Sequence, residues 1–142
     1  MDRLELGFQL TPMQDVSLRL DYTYNDAENT SSKAVTDKVA GVPENKFVLT
    51  FSALIPKIET QIDLQGIYVD EIYEDLPTTA DPNRQVTHAD SHFTVDGRLS
   101  KDIGKNFSAY VECENLLDKD YESEIGFPGR GRNAVVGLKA SF

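Results

Sequence analysis

Apolar residues recur at every second position through seven separate runs of this chain. In 3–11, Leu4, Leu6, Phe8 and Leu10 alternate with Glu5, Gly7 and Gln9; in 16–24, Val16, Leu18, Leu20, Tyr22 and Tyr24 alternate with Ser17, Arg19, Asp21 and Thr23. Successive side chains of an extended strand point to opposite faces, so this period predicts β-strands with one apolar face. Run 46–55 sets Phe47, Leu49, Phe51, Ala53 and Ile55 against a face that Val48 and Leu54 leave only partly polar. Run 59–69 sets Ile62, Leu64, Gly66 and Tyr68 against Gln61, Asp63 and Gln65. Runs 92–100, 106–114 and 133–142 follow, carrying Phe93, Val95 and Leu99, then Phe107, Val111 and Cys113, then Ala134, Val136, Leu138, Ala140 and Phe142. No stretch has a helical period.

The connections alternate as well. Residues 12–15, 56–58 and 101–105 leave room only for tight turns, whereas 25–45, 70–91 and 115–131 are long and polar. An antiparallel meander places alternate connections on opposite rims, so one rim receives three turns and the other three loops. Aromatic residues of the apolar faces gather near the strand ends. Tyr22, Tyr24, Phe47, Tyr68 and Phe93 lie toward the loop rim, and Phe107 and Phe142 toward the turn rim. Unequal rims, two aromatic girdles and runs of about 9–11 residues are the pattern of strands that cross a bilayer. The fold class expected is therefore all-β, an antiparallel meander of about seven strands. The same rings would be core in an ordinary sandwich, and it is the unequal rims together with the terminal motif described below that favour a segment of a transmembrane β-barrel.

Composition narrows this picture. Within 142 residues, 39% are apolar and 27% charged, and no run approaches the ~20 apolar residues of a membrane-spanning helix. The formal charge of -10 speaks against nucleic acid, whose phosphates attract basic surfaces. Cys113 stands alone, on the apolar face, where a small packed or lipid-facing residue suits it better than a reactive thiolate. The residues after Met1 have neither the basic start nor the apolar run of an export signal, so an exported protein with this sequence is expected to begin earlier.

The end of the chain carries a resemblance. Glu114-Asn-Leu-Leu-Asp-Lys-Asp-Tyr-Glu122, then Gly126-Phe-Pro-Gly-Arg-Gly-Arg132, then a last strand closing on Phe142 resemble the C-terminal end of the barrel in TonB-dependent outer-membrane receptors. In that family an Asn-Leu-Phe-Asp-like box and a Pro-Gly-Arg segment precede the terminal strand; here Leu117 replaces the usual Phe. The resemblance implies a barrel of 22 strands with a plug domain in its lumen. Residues 1–142 would be the C-terminal barrel segment, with the plug and the earlier strands absent. It implies localisation in the cell outer membrane and import of a scarce ligand such as an iron-siderophore or cobalamin. Implied partners are outer-membrane lipid, the barrel-assembly machinery and, through the missing N-terminal part, TonB. Gly137 and Phe142 would form the assembly signal, with Ala140 and Val135 departing from its usual residue types.

Candidate sites are few. His88, Asp90 and His92 share one side if the fifth strand starts early, and imidazole with carboxylate at that spacing suits zinc or copper, although polar residues are expected wherever a loop enters a strand. Asp70, Glu71, Glu74 and Asp75 make the loop rim acidic without the ligand spacing of a calcium loop. The glycines and arginines of 126–132 lack the Lys-Ser/Thr ending of a phosphate loop; a conformational role fits them better. Asp118, Asp120, Glu122 and Glu124 are candidate partners for Arg130 and Arg132. No catalytic set or cofactor fingerprint emerges, so neither an enzyme nor a cofactor is expected. The competing reading is a soluble small β-barrel or sandwich binding module with the apolar face turned inward; an isolated fragment would otherwise self-associate through that face.

Overall fold

The computed structural model describes residues 2–28, 39–77 and 80–141. Its strands are β1 (Asp2–Met13), β2 (Val16–Asp26), β3 (Asn45–Ile55), β4 (Thr60–Val69), β5 (Ile72–Asp75), β6 (Thr87–Ala89), β7 (His92–Ile103), β8 (Phe107–Glu114), β9 (Glu122–Glu124), β10 (Phe127–Pro128) and β11 (Asn133–Ala140). The one helical piece among the described residues is a 3-10 turn, Pro56–Ile58.

Seven of these strands form one antiparallel sheet in the order β1-β2-β3-β4-β7-β8-β11. The period-two runs thus become the sheet, in sequence order. Register carries the apolar positions across it in unbroken rows. Leu10 faces Leu18, then Phe51, Leu64, Gly97, Cys113 and Ala134; Leu6 faces Tyr22, then Phe47, Tyr68 and Phe93. Because side chains opposite one another share a face, one side of the sheet is a continuous apolar surface.

No described segment covers that surface. Leu138 is 80% exposed and Leu64 39%, and among the described residues Ala89, at 3%, is the only buried apolar side chain. The accessible surface is 10053 Å², against the ~7,300 Å² expected of a globular chain of this mass. A sandwich would bring Leu18, Phe51, Leu64 and Leu138 together in a sealed interior. This sheet instead leaves them in its open apolar layer.

The turns sit on one rim. Proline opens the 3-10 turn between β3 and β4, and Glu59 closes it at φ 48, its carbonyl accepting the Asp102 amide at 2.9 Å. Gly104 supplies the positive φ of 69 between β7 and β8, a conformation open to glycine at no steric cost. On the opposite rim, two of the three long loops contain hairpins, β5 with β6 and β9 with β10, which alternation did not reveal. The edges β1 and β11 each have one neighbour in the sheet.

Candidate functional site

The polar face opposite the apolar rows is a charged and hydrogen-bonded surface. Arg19 grips Asp21 with two bonds of 2.7 Å. Asp63 accepts from the Ser52 hydroxyl at 2.7 Å and from Gln61 Nε2 at 3.0 Å. Arg98 donates to Glu112 at 3.1 Å and lies 4.2 Å above the Tyr110 ring. That ring needs Gly137: a Cβ there would stand inside it. Such half-exposed ion pairs add little stability each, but together they make a wall suited to water.

Where the sheet meets the loop rim, an aromatic row is pinned by its hydroxyls. Tyr22 stacks on Phe47 at 4.5 Å, and Phe47 lies 6.0 Å from Tyr68. The Tyr22 hydroxyl donates to Asn45 Oδ1 at 2.8 Å, and Asn45 Nδ2 donates to Asp70 at 2.9 Å. Rings with an apolar body and a polar tip suit the boundary between hydrocarbon and water.

Asp70 and Glu71 do bring acid to this rim. They line a cavity of about 240 Å³ together with Tyr24, Asp26, Glu28 and Glu44. Much of the acidic run is engaged in structure, however. Asp70 also accepts the Glu71 amide at 3.1 Å, Glu71 accepts the Tyr73 hydroxyl, and Glu74 accepts the Ile125 amide at 2.5 Å. The Gly41 amide donates to the Tyr73 carbonyl at 2.8 Å, so the first loop is bonded to the second and the second to the third.

His88, Asp90 and His92 do not share one strand. β6 ends at Ala89 and β7 begins at His92, so the chain breaks direction between them. His88 lies in the loop hairpin, 3.4 Å from Asp90 and 3.9 Å from Glu71. His92 stacks on Tyr121 at 4.3 Å instead. Among the described residues no three His, Cys, Asp or Glu side chains converge as metal ligands.

The box after β8 is a bracket centred on Asn115, which is only 3% exposed. Asn115 adopts φ 50, a left-handed conformation that Asn tolerates better than most residues. Its Nδ2 donates to the carbonyls of Lys119 and Arg130, each at 2.9 Å, and its Oδ1 accepts the Lys119 amide at 2.9 Å. Its own amide donates to Asp96 at 2.8 Å. Asp118, at φ 53, accepts the Arg132 amide at 3.1 Å and pairs with its guanidinium at 3.3 Å. Arg130 pairs with Glu114 at 3.3 Å rather than with any of the four acids expected for it. Gly129 leaves room for the Tyr121 ring. The bracket thus fixes where the third loop descends into β11. Gly137 falls on the polar face opposite Tyr110; Phe142 lies outside the described residues.

The sheet has the fold of a stretch of outer-membrane receptor. The siderophore receptor PiuA from Acinetobacter baumannii superposes with a TM-score of 0.76 at 20% identity, over 98% of this chain and 21% of its own. A mutant of the ferric enterobactin receptor PfeA from Pseudomonas aeruginosa gives 0.77 at 13% identity, over 97% and 22%. The ferric-catecholate import receptor Fiu from Escherichia coli K12 gives 0.77 at 17%, over 97% and 20%. The chain spans about a fifth of the length of these structures. No protein-family model matches the sequence, and no curated protein matches it significantly.

Proposed function

We propose that this chain is the C-terminal part of the barrel wall of a TonB-dependent receptor in the outer membrane, importing a scarce ligand such as an iron-siderophore or cobalamin. The observation that carries the reading is the exposed apolar face backed by a charged one, in a sheet with turns on one rim and loops on the other. Leaving that many apolar side chains in water is unfavourable by ~1.5–3 kcal/mol for each large one that burial would cover. Hydrocarbon on one side and an aqueous passage on the other suit both faces at once. The motif of residues 114–132 and the fold shared with siderophore receptors support the same reading. The long loops would gate or hold the ligand, the strands form the wall, and TonB would act through a plug-bearing N-terminal part.

The two edges fit this proposal. Each neighbouring pair in the sheet is antiparallel, so β1 and β11, first and seventh in order, run the same way. An antiparallel barrel closes around them only with an odd number of further strands. In that closed wall Gly137 and Phe142 would serve as the assembly signal.

Surface labelling in cells tests the proposal, with the longest chain that contains these residues exported to the outer membrane. An Asn83→Cys variant should react with a membrane-impermeant thiol reagent on intact cells, and Lys57→Cys only after lysis. Equal labelling of both, or recovery of the protein in the soluble fraction, overturns the reading.

A further inference from the structure

Between the Asp2–Asp26 pair at the loop rim and the turns, the apolar face of the described sheet carries one charged residue. It is Lys101, in the row Ile55, Thr60, Lys101, Ala109, Leu138. Its side chain is exposed, and it has no ion-pair partner among the described residues. Around it stand Leu99, Ile103, Phe107 and Leu138, all exposed and apolar. Ala109, directly opposite, leaves the space beside it open.

We propose that Lys101 binds the phosphate of an anionic phospholipid in the leaflet at the turn rim. The inference rests on the barrel-wall reading and adds a lipid site to it. Lys101 lies eight residues along β7 from Phe93 of the aromatic row, about 27 Å at the usual rise per residue. With a strand tilt of ~35–45° this is about 19–22 Å along the membrane normal, a few Å inside the lower border of an apolar band ~25 Å tall. A lysine at that depth lays its methylenes along apolar neighbours and lifts its ammonium into the headgroups. Ile103 and Phe107, one pair nearer the turn, supply the apolar surface along which the stem runs. The complementary charge comes from outside the described sheet, because the described residues of the same face offer no carboxylate near Lys101. A second sheet packed face to face would bury the ammonium in hydrocarbon, which is costly without a partner.

The test reconstitutes the longest chain containing these residues in vesicles of phosphatidylcholine, with and without phosphatidylglycerol. Protease protection of the strands in either composition reports on the barrel-wall reading alone; its absence in both sinks that reading. Given insertion, the wild type should favour the anionic vesicles, and Lys101→Met should lose about fivefold of that preference, while Lys101→Arg keeps it. Lys105→Met, altering a lysine in the adjacent turn, should leave most of the preference intact. An unchanged preference in Lys101→Met, or an equal loss in Lys105→Met, overturns the proposal. Should Lys101→Met fail to insert, the wild type still decides: solid-state NMR should show a contact between lysine 15Nζ and lipid 31P that Lys101→Arg removes. No such contact refutes the site.

Discussion

Single residues decide how the loop rim is built. Asn115 combines a left-handed backbone with three side-chain hydrogen bonds, so Asn115→Ala should cost about 3 kcal/mol in urea unfolding from detergent micelles. Asn115→Gly, which adopts positive φ freely, should cost less by the conformational part alone. Gly137 is constrained from the other side of the ladder. Gly137→Val drives its side chain into the Tyr110 ring and should cost about 1–3 kcal/mol; adding Tyr110→Ala should recover most of the loss, a coupling read from the double-mutant cycle. Neither role was legible in the sequence. Asn115 reads as one polar residue in a motif, and its partner carbonyl at Arg130 is visible only once the loop has turned back. Gly137 reads, through the resemblance, as part of an assembly signal, and only register shows that the space beside it is filled by a ring.

Strands and loops differ in how much of them alternation encodes. The seven strands of the large sheet were readable because each is long enough to repeat its period several times, and the short and long connections then assigned the rims. β5, β6, β9 and β10 were not, since two to four residues carry no period and their pairing is set by the fold of the loop. The same brevity explains the histidines: Asp90 and Ser91 break the chain between β6 and β7, so a spacing that suits one strand is divided between two. At this scale, a short peptide tag inserted between Asn83 and Arg84 should leave the β-signal in circular dichroism of the detergent-solubilised protein, a spectral band that reports the folded sheet, because lengthening an exposed loop adds little closure entropy. The same tag between Lys57 and Ile58 should abolish the band, as it separates the left-handed Glu59 from the turn that positions it against Asp102.

The described residues enclose no apolar interior. A sheet with an exposed apolar face and two unpaired edges, taken from detergent into buffer, should self-associate and bind a hydrophobic dye strongly, measurable by light scattering and fluorescence. A monodisperse, dye-free monomer would mean that the apolar rows meet one another after all. The alternating pattern already told that one face was apolar. It did not tell whether that face turned toward a core, because the period is the same in a sandwich and in a wall; the register and exposure of Leu64 and Leu138 answered that.

The backbone amides of Gly41 and Ile125 reach the second loop from either side, one at the Tyr73 carbonyl and the other at the Glu74 carboxylate. A tug on any one overhang is therefore passed along the whole line of three. A pull on the middle one loads both links, and cutting the Glu74 link, as in Glu74→Ala, leaves the third held by the Asn115 bonds and the His92–Tyr121 stack.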